Sequence, residues 1–267
     1  MSEATNPIRV GVGGWTFEPW RDNFFPAGWP HARELAYASR KLTAIEVNST
    51  YYSSQKPATF AKWRAETPDG FVFSLKASRF ATNRRVLAEA GDSVLRFVNQ
   101  GIAELREKLG PIVWQFAPTK RFEPTDFEAF LKLLPAEVAG LPLRHVLDVR
   151  HESFKTPEYL VLARRHRAAT VFTDSDDYPS FADITGDFVY ARLMRTDASH
   201  TQGCPLAFFA PLAACARAWR DGTEPANVPR IEPAPAPTGP RDVFVYFIGG
   251  AKERAPAAAM ALIEALG

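Results

Sequence analysis

VLDVRH at residues 146–151 decides the reading of this chain. Leu147 and Val149 alternate with Asp148 and Arg150. A strand sends successive side chains to opposite faces, so the two charges share one face and the two apolar groups take the other. The same period of two returns in AIEVN at 44–48, VFSLK at 72–76, IVWQF at 112–116 and VYARL at 189–193. Glu46 thereby joins Asn48, and Ser74 joins Lys76, opposite Ile45, Val47 and Leu75. Polar groups gather on one side of one sheet. Buried charges are costly unless paired or used. These sit late in their strands, where parallel α/β folds place binding and catalytic groups.

Working outward, candidate strands begin near Ile8, Thr43, Gly70, Pro111, Arg144, Ala169, Asp187 and Val243. Helical patterns lie between most of them, at 31–41, 57–66, 92–109, 125–134 and 157–166. Strands alternating with helices imply βαβ units and a parallel sheet. Eight units over a chain of 267 residues predict one closed (β/α)8 TIM-type barrel, residues 1–267, with no second domain and no internal repeat. No GxGxxG follows the first strand, and the glycines of GVGG at 11–14 fit either a phosphate loop or a crowded barrel axis. Two departures are expected. The span from Asp174 to Gly186 is too short for a full crossover helix, so the sixth unit is shortened. The last connection, Met194 to Asp242, carries an amphipathic stretch near 206–220 and then a proline-rich excursion at 225–240, expected to be extended, mobile and on the surface.

Composition narrows the classes. The chain is 46% hydrophobic and 23% charged with a net charge of +2, which gives no bulk attraction to nucleic acid or a membrane surface. The opening MSEATNPIRV lacks the basic-then-apolar layout of a signal peptide, and no apolar run approaches the roughly 18 residues needed to span a bilayer. The expected location is cytoplasmic. Two cysteines, Cys204 and Cys215, are too few for a disulfide framework or a structural zinc site.

The strand ends bring together Trp15, Glu46, Asn48, Thr50, Tyr51, Lys76, Gln115, Asp148, Arg150, His151, Asp174, Arg192 and Arg195. Three carboxylates among at least four cations imply an anionic ligand, since guanidinium forks bind phosphate or carboxylate bidentately and lysine adds a point charge. The bland alternative is a buried network in which Glu46, Asp148 and Asp174 neutralise those cations. Glu46 is either a general base beside Asn48 or a partner of Lys76. Asp148 is placed to hold Arg150 while Arg150 grips a ligand. His151 either shuttles protons or caps backbone groups. Trp15, Phe17, Trp20, Phe24 and Phe25 either stack on a base or sugar or plug the barrel as core. Carboxylates spaced among cations, with no HExxH, argue against a metal, and no GxSxG marks a nucleophilic triad.

The segments GVGGWTFEPWRDNFFP at 11–26, AIEVNSTYY at 44–52, FVFSLKA at 71–77, GPIVWQFAP at 110–118, VLDVRHESF at 146–154 and VYFIGGAKERAPAAAMAL at 245–262 resemble the YecE-like family, also called domain of unknown function 72. The resemblance runs nearly the length of the chain, and its ExNSTxY and DVRH elements are specific. It implies a TIM-type barrel and candidate residues Glu46, Asn48, Thr50, Tyr51, Lys76, Gln115, Arg150 and His151, without implying a reaction. The chain departs from the family pattern at RLMR (192–195), where an RFHG-like segment is usual, and at YFIGG (246–250), where YFNN is usual.

Together these readings predict a cofactor-independent, metal-free barrel enzyme for a small anionic substrate, phosphorylated or nucleotide-like, with phosphate or sulfate as simple ligands. Glu46, Lys76, Asp148 and His151 are the candidate catalytic groups. Trp15, Asn48, Thr50, Tyr51, Gln115, Arg150, Asp174, Arg192 and Arg195 are the candidate binding groups. A nucleic-acid phosphodiester binder or nuclease is the rival, disfavoured by the near-neutral charge. A non-enzymatic ligand-sensing or interaction module, whose proline-rich 225–240 stretch meets a partner, is the third reading. No membrane partner is expected.

Overall fold

The computed structural model describes residues 7–233 and 238–267. Eight parallel strands close into a barrel: β1 (Ile8–Gly13), β2 (Ala44–Val47), β3 (Val72–Lys76), β4 (Leu109–Gln115), β5 (His145–Asp148), β6 (Ala169–Thr173), β7 (Phe188–Leu193) and β8 (Asp242–Phe247). Each pairs with its successor, and β8 returns to β1 with Val10 opposite Val245. Every expected strand is present and starts within two residues of its expected place. A two-stranded hairpin, Glu137–Val138 with Leu141–Pro142, stands outside the barrel, and its sequence is too short to show a period.

Alternation sorts the strand residues into two apolar clusters. Val72, Val113, Val146, Val171, Phe188, Tyr190, Phe244 and Tyr246 fill the barrel interior. Ile45, Val47, Phe73, Leu75, Leu147 and Val189 face the surrounding helices. Large rings on β7 and β8 are accommodated by small residues on β1 and β2. A Cβ added at Gly11 would stand 2.0 Å from the Ala44 carbonyl oxygen and 3.2 Å from the Tyr246 ring. Close strand approach, not phosphate binding, therefore explains that glycine. Trp20, Phe24 and Phe25 of the first loop are buried with Leu35 and Ala38, so that part of the loop is core.

The helical stretch expected over 92–109 is broken. A helix covers Gly91–Val98, Gly101 then turns left-handed (φ 114°), and a 3-10 segment follows at Ile102–Lys108. Glycine in that conformation ends a helix at little steric cost, a stop that the apolar spacing on either side conceals.

The sixth unit is shortened as expected: among the described residues no helix lies between β6 and β7. The excursion before β8 corrects one expectation. Its helix, Phe209–Arg220, falls in the amphipathic stretch, but residues 228–232 are pinned rather than free. The Asp183 carboxylate accepts from the Ile231 and Glu232 amides at 2.8 and 3.0 Å, Ala182 donates to the Pro229 carbonyl at 2.8 Å, and Arg164 pairs with Glu232 at 2.6 Å. Val228 and Ile231 pack on the core. This strap meets the loop that replaces the missing sixth helix, covering surface a helix would otherwise cover. Residues 234–237 of the proline-rich stretch lie outside the described residues. No helix among the described residues is long and apolar enough to cross a membrane.

Candidate functional site

The inward-facing ends of β2, β3, β4, β5 and β7 converge on one charged cluster. Glu46 lies at its base, fully buried, with both carboxylate oxygens engaged. Arg192 donates to them through Nε at 3.0 Å and Nη2 at 3.1 Å, and the Tyr190 hydroxyl donates at 2.9 Å. Nη1 of Arg192 reaches across to Asp148 Oδ2 at 2.6 Å. Asp148 in turn receives Arg150 through Nε at 3.2 Å and Nη2 at 3.1 Å, and that Nη2 also donates to Gln115 Oε1 at 2.8 Å. Two carboxylates thus hold two guanidiniums in a chain, Glu46–Arg192–Asp148–Arg150. Breaking such a buried pair by removing one partner costs about 3–5 kcal/mol, because the other charge remains in place.

The chain has a closed end and an open end. Arg192 is 1% exposed and commits three nitrogens to carboxylates, so it organises the floor and does not present a fork to a ligand. Arg150 is nearer the surface, stacks on the Tyr178 ring at 4.3 Å, and keeps Nη1 free of hydrogen bonds among the described residues. Glu46 is paired with Arg192 and Tyr190 rather than with Lys76, which answers the alternative posed by the sequence.

Lys76 is the exception in this cluster. Both nearby carboxylates are taken by arginines, and its Nζ makes no hydrogen bond or ion pair among the described residues. It sits instead over the Tyr51 ring, 4.2 Å from the centroid. Burial and the neighbouring Arg192 charge outweigh the attraction of Glu46 and Asp148, so its ammonium is pulled from 10.5 down to about 8.

The surrounding turn explains the ExNSTxY element residue by residue. Asn48 leads into a short helical turn, Ser49–Tyr52, where the Thr50 hydroxyl donates to the carbonyls of Val47 (3.1 Å) and Lys76 (2.7 Å). Thr50 therefore braces the end of β3 against β2. Tyr51 follows as the ring beneath Lys76, its hydroxyl accepting from Asn83 at 3.3 Å. Asn48 lines a cavity of about 330 Å³ at the same end of the barrel with Gly13, Gly14, Trp15, Phe17 and Lys252. Trp15 is half-buried, edge-on to Trp63 at 5.2 Å.

Three expected residues stand apart. His151 Nδ1 accepts from the Ser153 amide at 3.1 Å and contacts its hydroxyl at 2.8 Å, so His151 caps the short 3-10 turn Glu152–Phe154. Asp174 accepts the Met194 amide at 2.6 Å and ties β6 to the chain after β7; burial holds its carboxyl above the ordinary value. Arg195 is exposed, 3.4 Å from the exposed Asp176, and does not join the cluster. Three residues, Tyr190, Tyr178 and Lys252, were missed from sequence. Tyr190 and Tyr178 contact site charges, Tyr246 accepts or donates to Ser74 at 2.8 Å, and Lys252 lies 4.4 Å from the Phe17 ring with its ammonium lowered by burial. Inward phase on β7 and β8 marks Tyr190 and Tyr246; no local pattern marks Tyr178.

Two larger hollows, of about 510 and 740 Å³, open at the opposite end of the barrel. Some of the charges there are paired, as in Arg144 with Asp242 at 2.6 Å and Arg230 with Glu224 at 3.2 Å.

The sequence pattern described as "Protein of unknown function DUF72" matches residues 9–267. The UPF0759 protein YecE of Escherichia coli K12 is 27% identical over 150 residues, covering 55% of this chain and 50% of the relative, so the match spans about half of that protein's length. A DUF72 family protein of Thermotoga maritima MSB8 superposes with a TM-score of 0.70 at 18% identity, covering 97% of this chain and 98% of its own. One from Enterococcus faecalis V583 gives 0.69 at 15% identity, with 99% of each chain covered. At such identities the solved structures show a shared fold.

Proposed function

The chain belongs to the DUF72 family, and from the geometry of its barrel mouth we propose that it is an enzyme for a small anionic substrate, with phosphate or sulfate as minimal ligands. Arg150 grips the anionic group and Lys76 is the acid–base group. One observation carries this reading: Lys76 is the single amine in a cluster whose carboxylates are already held by arginines, and its ammonium is lowered to about 8. Such an amine gives up and takes back a proton near neutral pH, as acid–base catalysis requires. Asp148 fixes one edge of the Arg150 guanidinium, leaving Nη1 to meet an anion. Counting Lys76 as charged, three cations face two carboxylates, Glu46 and Asp148, so an anion neutralises the excess. The proposed chemistry draws only on these side chains.

The test is the thermal midpoint of wild type and Arg150→Lys with and without millimolar phosphate. Lysine keeps the charge but loses the planar fork. At an anion concentration roughly ten times Kd, mass action raises the wild-type midpoint by about 3 °C and leaves the variant nearly unmoved. Equal shifts in both proteins would remove Arg150 as the anchor.

A further inference from the structure

We propose that Lys76 is a covalent catalyst, condensing through its Nζ with the carbonyl group of a small anionic aldehyde or ketone to form an imine. The proposal rests on the anion-binding reading of Arg150 and adds the substrate class and the bond that forms.

The geometry separates Lys76 from an ordinary ion-pair lysine. A lysine that neutralises a carboxylate lies against it. Here the Glu46 oxygens are engaged by Arg192 and Tyr190, and the Asp148 Oδ2 is shared between Arg192 and Arg150. Lys76 is only 7% exposed as a residue, yet its Nζ has no acceptor among the described residues. Thr50 binds its carbonyl and fixes its backbone, and the Tyr51 ring supports its head at 4.2 Å. The result is a held, partly dehydrated amine with a free lone pair whenever it loses its proton, the condition under which lysines attack carbonyl carbon.

The charges suit the product as well. The neutral amine attacks the carbonyl carbon, forming a C–N bond. The former carbonyl oxygen takes up two protons and leaves as water, so that RNH3+ and O=CR2 yield RNH+=CR2 and H2O without any oxidant or reductant. The protonated imine is again a cation on the same nitrogen. It keeps the attraction of the Tyr51 face and the field of Glu46 and Asp148. Because the cluster carries one cation more than carboxylates both before and after condensation, a substrate with its own negative charge is favoured, and Nη1 is the guanidinium nitrogen of Arg150 left to receive it. The imine then acts as an electron sink for breaking a bond at the carbon next to the former carbonyl.

The experiment incubates the full chain at pH 7.5 with cyanoborohydride and either glycolaldehyde phosphate or glycolaldehyde, then maps alkylated lysines by mass spectrometry over time. Lys62, with a 65% exposed side chain, serves as the internal reference. Lys76 should be alkylated at least about tenfold faster than Lys62, since an amine near 8 is far more often unprotonated at pH 7.5 than an ordinary lysine near 10.4. The phosphate probe should outpace the neutral one in wild type, and Arg150→Lys should remove that preference. Alkylation of Lys76 no faster than Lys62 would overturn the imine. If the phosphate-induced rise in midpoint persists in that case, the anion site stands and only the covalent step falls. Equal rates with both probes would overturn the anionic substrate.

Discussion

Lys76 concentrates the energetic tension of the molecule at the level of single residues. A lysine whose folded value is lowered from 10.5 to about 8 destabilises the fold, because the unfolded chain holds the proton more tightly. Below pH 8 both states are protonated and the full cost is present. Between pH 8 and 10.5 the folded state sheds its proton first, so wild-type stability rises with pH and the cost fades. Lys76→Met should therefore be more stable than wild type by about 2–3 kcal/mol at pH 7, with the gain shrinking towards pH 10.5. Denaturant unfolding of both proteins at pH 7 and pH 10 checks this. A difference independent of pH, or a less stable variant, would mean that Lys76 is not desolvated as described. Functional groups that cost stability are characteristic of sites under a second constraint.

Secondary-structure elements were legible in proportion to how local their causes are. The strands follow from alternation in four to seven residues, so their starts fell within two residues of expectation. Alternation also assigned Glu46, Lys76, Asp148 and Arg192 to one face. It did not say which charge pairs with which. Glu46 on β2 meets Tyr190 and Arg192 on β7, and these strands are not neighbours in the sheet. That pairing spans the lumen and depends on barrel closure, which no local pattern encodes. The 92–109 stretch failed for the opposite reason: the apolar period was continuous, but one left-handed glycine ended the helix. The pinning of the strap at 228–232 is not legible locally, because proline content signals an extended chain and says nothing about a distant carboxylate. Asp183 supplies that carboxylate, accepting two strap amides. Asp183→Ala should speed hydrogen exchange at Ile231 and Glu232 and cost about 1–3 kcal/mol, with the barrel intact. Unchanged exchange at both amides would show that the strap is held by other contacts.

At the scale of the whole molecule, the barrel brings residues distant in sequence into a single charged chain with a buried floor and an open mouth. The net charge of +2 says little about this site, since the charges that matter are local and nearly balanced. The floor is structural: Arg192 and Glu46 are sealed from solvent and fix Asp148, which aims Arg150. The mouth is where chemistry is proposed, and Lys76 and Arg150, each with a nitrogen uncommitted among the described residues, stand at the end of β3 and just beyond β5. The most direct test is a crystal of the protein soaked in selenate or phosphate, with the anion located by anomalous or difference density. The account predicts an anion within hydrogen-bond distance, about 2.7–3.2 Å, of Arg150 Nη1, absent in Arg150→Lys. An empty mouth at full occupancy of other surface sites, or the same anion position in the variant, would contradict it.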